Sequence, residues 1–465
     1  MLTLLLLLSP DVRAASLDNL DVGGLWASPT LSSPAAAWWN PAAVNADGGH
    51  QIFAEGAPTL ADISYARTDP RGGPNNYTLQ GVIPAFGASS DFGVEGLGVG
   101  AALTVPIARG ADADGDLNGG DYYLRDGLIQ TIDITLAARY AWKGRFGAGL
   151  ALHRYQSSWT ANLSNDVMPD LYDEIVRQGQ TPDADIYNDD NLENPRYAAE
   201  LNLDPVGAGA WGVSVGLWAQ PTDTIQIGAA WLSGVRLDHR GDAVVDLSCP
   251  PQEDEAGRFG AEAFGLCDAS VRADVAINYD LPSRIHLGIA AQVAPTVRVE
   301  AFGGFVRWSV FQDLEIILDN VDRLNDGLAE EAVDLIEQER LWARDNRNSV
   351  FAALDARGPL GERWGWAGRV MVDRAAVPDE ALSMNNFDAN AVTPSAMVTW
   401  RPIDKIQLGV SGSRAFLASR TVTNSGFGMA VLPEDRNPNR WFYPQANGTY
   451  STSIVRLSLG LQVTL

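Results

Sequence analysis

Between Val271 and Trp308 the chain alternates strictly. Val271, Ala273, Val275, Ile277 and Tyr279 are apolar, and Arg272, Asp274, Asn278 and Asp280 lie between them. The same parity continues through Ile285, Leu287, Ile289, Ala291 and Val293, set against Arg284, His286, Gly288 and Gln292. A side-chain period of two belongs to a strand with two unlike faces. The parity runs across Leu281-Pro282, which predicts one long strand carrying a bulge, since proline removes a ladder donor. Ala294-Pro295-Thr296 predicts a tight turn into Val297, Val299 and Ala301.

Most of the remaining chain repeats this unit. Ile132, Ile134, Leu136, Ala138 and Tyr140 alternate with Thr131, Asp133, Thr135 and Arg139, and Phe146–Tyr155 follows Lys143-Gly144-Arg145 at once. Trp211, Val213, Val215 and Leu217 alternate with small residues, and Val455 to Leu465 does so against Arg456, Ser458, Gly460, Gln462 and Thr464. Counting 271–293 as one strand, the pattern predicts about fourteen, near 51–66, 77–86, 96–108, 129–142, 145–158, 207–220, 224–238, 271–293, 297–309, 348–357, 363–374, 391–401, 405–417 and 452–465. Connections alternate in length. Short turns at 142–145, 221–223, 294–296, 358–363 and 401–404 face long polar stretches at 110–127, 159–205, 239–269, 310–348 and 417–452. Sorting short turns to one end and long loops to the other is the habit of outer-membrane barrels. A soluble sandwich also alternates apolar and polar faces, but nothing in it sorts its loops this way.

Export fits the same reading. Met1–Ala14 reads as a signal peptide, with Leu4–Leu8 as its apolar core and Val12-Arg13-Ala14 as the cleavage site. No stretch approaches the ~20 apolar residues of a spanning helix. A closed barrel crosses a membrane without one, because it too satisfies every backbone group. The expected place is the bacterial outer membrane. The expected fold is all-β, a transmembrane antiparallel barrel over 51–465. Its outward face is apolar, and Trp142, Trp211, Trp218, Trp231, Trp308, Trp364 and Trp400 near strand ends form an interfacial girdle. The net charge of −25 opposes nucleic acid as a partner, since phosphates call for a basic surface. Two cysteines, Cys249 and Cys267, share one polar segment and predict a disulfide in an oxidising compartment.

The leading segment, 15–50, is not strand-like. Its small residues surround Trp38-Trp39-Asn40-Pro41-Ala42, and two adjacent tryptophans suit a compact piece packed inside something larger. Asn40-Pro41-Ala42 after a small-residue run resembles the N-terminal hatch motif of the FadL-type transporters of long-chain fatty acids and other hydrophobic compounds. Leu281-Pro282-Ser283-Arg284-Ile285-His286-Leu287-Gly288 with Phe305-Val306-Arg307-Trp308-Ser309 is similar to that family's paired barrel segments. Val392-Thr393-Pro394 with Ile406–Val410 is similar to a later pair. The resemblance covers nearly the whole mature chain; the acidic loops and the terminal Leu465, in place of an aromatic, depart from it. It implies a hatch plugging the lumen, capture of a hydrophobic small molecule at an extracellular groove within 159–205 and 239–269, and release by hatch movement or a kink in an early strand. Gly93, Gly96, Gly98 and Gly100 are the residues that would loosen such a strand.

Catalytic signals are thin. The four histidines, His50, His153, His239 and His286, suggest no Ser/His/Asp arrangement. Gly212-Val213-Ser214-Val215-Gly216 spells GxSxG, but strand alternation runs straight through where a nucleophile elbow needs a sharp turn. Asp112–Asn118 resembles a calcium loop, yet its sixth place is Leu117 and its twelfth Tyr123. No enzyme, metal or cofactor is expected. Met168, Leu171, Tyr172, Ile175 and Val176 recur at helical spacing, as do Val321 to Trp342 over a longer stretch, predicting short helices in the extracellular loops. Leu171, Tyr172, Ile175 and Val176 are the candidate ligand-binding residues, since burial of a hydrophobic ligand stabilises it by ~25 cal/mol per Å². A monomer sheathed in outer-membrane lipid, or in detergent, is expected. The alternative is a general porin or an adhesive surface barrel.

Overall fold

A computed structural model describes residues 21–68, 74–113, 124–166, 198–247, 270–323, 339–426 and 446–465. The signal peptide, Cys249, Cys267, and Leu171, Tyr172, Ile175 and Val176 lie outside these residues, as do most of the calcium-like loop and of both helical stripes.

One antiparallel sheet accounts for nearly all of the described chain. Its strands are β1 (His50–Arg67), β2 (Pro74–Ser90), β3 (Leu97–Ala113), β4 (Asp126–Trp142), β5 (Phe146–Asp166), β6 (Ala198–Thr222), β7 (Ile225–Leu232), β8 (Val235–Leu247), β9 (Ser270–Leu281) and β10 (Arg284–Ala294). There follow β11 (Val297–Val306), β12 (Asp313–Arg323), β13 (Glu339–Ala343), β14 (Ser349–Leu360), β15 (Trp364–Asp373), β16 (Ala391–Ile403), β17 (Ile406–Leu417), β18 (Arg420–Val422) and β19 (Gly448–Thr464). The sheet closes on itself. β1 pairs with β2 on one side and with β19 on the other, from Gln51↔Thr464 to Arg67↔Gly448, so neither end strand is left as an edge. The short connections (91–96, 143–145, 223–224, 295–296, 361–363 and 404–405) all fall at one end of this barrel, called lower here.

Nineteen segments stand where about fourteen strands were expected. The excess comes from strands split part-way. β7 is separated from β8 at Ser233-Gly234, β9 from β10 at Pro282-Ser283, β11 from β12 by a turn at Trp308–Val310, β13 from β14 at residues 344–348, and β17 from β18 at Ala418-Ser419; β12 and β13 are strands in the 310–348 stretch expected to be a loop with a helix.

These breaks correct the reading of a single parity across Leu281-Pro282. In β9 the odd residues Val271, Ala273, Val275, Ile277 and Tyr279 are buried inside. In β10 the odd residues Ile285, Leu287 and Ile289 are exposed outside, Leu287 at 57%. The two residues at the break exchange the faces. β7 and β8 do the same across Ser233-Gly234, with Ile227 and Trp231 outside below it and Leu237, His239 and Ala243 inside above it. On β6 the exchange falls at Asp204-Pro205, where Trp159↔Val206 gives way to Ala161↔Leu203 and two residues oppose one. The breaks are neighbours in the sheet, since Arg284 pairs with Leu232 and Val235 with Leu281.

The wall therefore has two tiers. Below the breaks, Leu136, Leu150, Val215, Leu217, Leu287, Leu354, Val370, Val410 and Leu459 face outward, as lipid demands. The eleven residues of β10 match the length a tilted strand needs to cross the hydrocarbon layer. Above the breaks, Arg236, Asp238, Arg240, Asp242, Arg272 and Asp274 face outward and the apolar side chains turn in. Exposed tryptophans mark both margins of the lower tier: Trp142, Trp364 and Trp400 beside the short turns, Trp211 and Trp231 just below the breaks. Trp218 and Trp308 do not join them. Both are buried, because even positions of β6 point inward and Trp308 lies in the turn between β11 and β12; Arg139 lies over the Trp218 ring at 5.3 Å.

Candidate functional site

The inward apolar faces of the upper tier enclose a cavity of about 910 Å³, counting its open mouth. Ile63, Ile129, Trp159, Leu201, Leu203, Ile277, Tyr279 and Ile316 line it from the wall, and Met384 to Phe387 from a segment folded inward between β15 and β16. That segment is fixed by Asp388, whose carboxylate accepts from the amides of Ala376 and Val377, and by Arg420, which donates to the carbonyls of Val377 and Asp388. Among the described residues, two charged side chains reach the cavity, Arg109 and Arg344, and no acid does. Arg109 donates to the Phe387 carbonyl at 3.3 Å and Arg344 to Asn385 Oδ1 at 3.0 Å. Arg344 is 3% exposed. Its burial, and then the positive charge of Arg109, draw its pKa down to about 9. In a chain with net charge −25, the described lining of this apolar chamber thus carries positive charge alone.

Below the cavity, residues 21–49 lie against the inner wall on every side. Trp39 packs on Phe302 and Phe351 with ring centres 5.5 and 6.1 Å apart, and its indole N–H donates to the Val22 carbonyl. His286 Nδ1 donates to the Trp39 carbonyl, which fixes the tautomer because a carbonyl only accepts. Arg284 lies over Trp38. Asn40 caps the turn Pro41–Ala43 by accepting from the Ala42 amide, while its Nδ2 donates to the carbonyls of Pro29 and Leu217. This explains the motif: one side chain closes the turn and fastens it to β6. Opposite, Arg369 donates to Asp21 and to the carbonyls of Gly24 and Ala27, and Arg357 to that of Leu25. Ser28 donates to Glu300. At the lower end Asp91 accepts from the amides of Gly49 and Gly93, which hold its carboxyl below the usual range.

Inward glycines make room for this segment. A Cβ at Gly149 or Gly216 would overlap Asn40 to Ala42, and one at Gly409 or Gly460 would overlap Trp26. Gly98 and Gly100 belong to the same set, for they lie in β3 beneath Val44. Gly93 and Gly96 lie in the turn before β3, with φ of 72° and 81°.

The irregular place in the early wall is further along. Pairing between β2 and β3 runs from Ser90↔Val99 to Phe86↔Leu103, then resumes only at Thr78↔Asp112. Residues 79–85 of one strand and 104–111 of the other are not paired with each other, though each strand keeps its other neighbour, β1 or β4. Pro84 and Pro106 fall on the two lips, and β3 bulges against β4 between Thr104 and Ile107. Buried Ala57, Ile83, Val105 and Ala108 seal the gap with side chains instead of backbone bonds.

The structure also assembles a group that the histidine inventory did not suggest. Asp133 Oδ2 is 2.8 Å from His153 Nδ1, and His153 Nε2 is 2.8 Å from Ser214 Oγ. The order is that of a hydrolase triad. Ser214, however, sits mid-strand and 1% exposed, so the three side chains act as a buried polar staple across β4, β5 and β6. Their alternation is ordinary strand alternation, and nothing in the spacing of 133, 153 and 214 announces the contact. Above them Thr131, Ser157 and His239 form a second such chain.

The model of a protein family described as outer membrane protein transport protein (OMPP1/FadL/TodX) matches residues 27–434. The barrel is similar to the crystal structure of a FadL homologue from Pseudomonas aeruginosa, with a TM-score of 0.72, 16% identity and 98% of each chain covered. It is similar to the toluene transporter TodX of Pseudomonas putida, with a TM-score of 0.66 and 13% identity over 98% of this chain and 99% of that one. The toluene transporter TbuX of Ralstonia pickettii gives 0.61 and 15% over the same shares. No curated protein matches.

Proposed function

This chain belongs to the OMPP1/FadL/TodX family of outer-membrane transport proteins, and from that premise we propose that it takes up long-chain amphipathic acids, fatty acids above all. The upper cavity carries the proposal: its apolar lining accepts a hydrocarbon chain at ~0.8 kcal/mol per buried CH₂, while Arg109 and Arg344 receive the carboxylate. A neutral aromatic, the cargo named for TodX and TbuX, brings no negative charge to buried Arg344 or half-buried Arg109.

Residues 21–49 act as the hatch. They stopper the lumen below the cavity, so the cargo has no aqueous bore to fall through. The unpaired stretch between β2 and β3 is the lateral exit into the membrane, parted by moving side chains without breaking ladder bonds. A general porin needs an open water-filled bore, and this one is occupied. The protein works as a monomer, since cavity, hatch and exit lie within one barrel.

Purified protein in detergent tests the reading by binding of a long-chain fatty acid and of the primary alcohol of equal length. The acid should bind more tightly than the alcohol, and Arg344→Gln should remove the difference. Equal binding of both by the unaltered protein would defeat the choice of acids.

A further inference from the structure

We propose that a polar cleft on the outer wall, level with the breaks, holds the saccharide head of a glycolipid from the outer leaflet. The proposal goes beyond the transport reading, for it concerns a lipid that surrounds the barrel and never enters it.

Beside Pro282-Ser283 two further breaks adjoin. The Arg307 amide donates to the Ser283 carbonyl, the Ser309 amide to Asn348 Oδ1, and the Arg344 and Asp345 amides to the Gln312 carbonyl. β11 thus parts from β12, and β13 from β14, at one height. Pro378 and Glu380, at the start of the segment between β15 and β16, lie against them, and the Arg347 amide ties that segment down by donating to the Ala376 carbonyl. The three pieces frame a cleft of about 990 Å³, counting its open mouth, enough for a small ligand. Gln312, Asp345, Arg347, Asn348 and Glu380 are exposed around it.

The lining mixes donors with acceptors. Arg347 lies 3.8 Å from Glu380, and Asp345 adds a second carboxylate, a balance that disfavours phosphate. Two carboxylates are also too few for a dedicated cation site, and among the described residues no group of three or more acids, histidines or cysteines is placed to hold one. Asn346 lines the cleft as well. It is 2% exposed, yet neither Oδ1 nor Nδ2 of its amide has a hydrogen-bond partner. An amide in that position favours a ligand that donates to it and accepts from it at once. Neighbouring hydroxyls do both, and a sugar ring carries several. Height selects the source of the sugar. Two residues below Asn348, Val350 pairs with Phe305, and both face lipid. Just above, Asp313 faces water. A head seated in the cleft therefore lays its acyl chains on Phe305 and Val350, and the outer leaflet of a bacterial outer membrane is made largely of lipids with saccharide heads.

The full protein in a polyoxyethylene detergent, which carries no sugar, allows a direct test. The probes are a dephosphorylated lipopolysaccharide with a short core, the core saccharide cut from it, and phosphatidylethanolamine. The glycolipid should bind saturably at about one per barrel, and the free saccharide should compete with it only weakly. Asn346→Leu and Arg347→Ala should each weaken the glycolipid by roughly tenfold, about the worth of one hydrogen bond, and leave fatty-acid binding unchanged. Arg347 is exposed, so its removal reports on the cleft even if Asn346→Leu fails to fold. No binding of the glycolipid, or unchanged binding by Arg347→Ala, overturns the proposal. So does phosphatidylethanolamine binding as tightly as the glycolipid, which would make the sugar irrelevant. Free saccharide binding as tightly as the whole glycolipid also overturns it, since the ligand would then be a soluble sugar.

Discussion

The lower and upper tiers of the wall are built from the same alternating strands, yet they are turned inside out relative to each other. Below the breaks, apolar Leu217 and Leu287 meet lipid, and the interior holds Glu55, Arg139, His153, His286, Glu300 and Arg369. Above them, Asp274 and Arg272 meet water, and the interior holds Leu203, Ile277 and Ile316. Each tier puts its apolar face where the polar medium is not. Two-residue irregularities at Asp204-Pro205, Ser233-Gly234 and Pro282-Ser283 suffice to pass from one arrangement to the other, since a shift of parity moves every later side chain to the opposite face. An apolar chamber and a membrane anchor thus come from one sequence grammar read in two phases.

Mutations test this contrast, the largest effect first. Deleting residues 21–49 should turn the lower tier from a stoppered lumen into an open pore, seen as a large rise in conductance across a planar bilayer. A deletion mutant that conducts no better than the intact protein would mean the interior is closed by something else. Leu287→Arg, on the lipid face, should destabilise the barrel by ~2–4 kcal/mol in denaturant unfolding from lipid vesicles, as a cation near the bilayer midplane does. In the upper tier, Arg344→Gln should leave folding intact and cost ~1.5–3 kcal/mol of fatty-acid binding by calorimetry, the worth of a hydrogen bond to a charged group. Smallest of all, Arg272→Leu on the upper outer face should alter stability by no more than ~0.5 kcal/mol. Should Leu287→Arg prove as mild as Arg272→Leu, the two outer faces meet the same medium and the contrast is lost.

Much of the barrel was legible from alternation and loop sorting, because burial against lipid and burial against a lumen both impose a period of two. The exchange of faces was not. Val271–Tyr279 and Ile285–Val293 are apolar at the same parity, and periodicity reports that a face is apolar without reporting which way it points. Proline at 282 marked the place but not the consequence. The enclosure of residues 21–49 within the barrel showed itself through Trp38 and Trp39, whose bulk demands burial, and through Asn40-Pro41. The glycines of 93–100 serve a turn and the close approach of Val44, while the break in pairing between β2 and β3 falls at Pro84 and Pro106, which are far apart in sequence. Arg109 and Arg344 carried no local signal, since only the closed ring sets them together in a chamber that no acid lines among the described residues. The same holds for Asp133, His153 and Ser214.

Because the breaks on neighbouring strands align, they draw a waterline around this side of the hull. The draught of the barrel in the outer membrane is thereby written into the backbone, and the mouth rides at a set height above the headgroup layer.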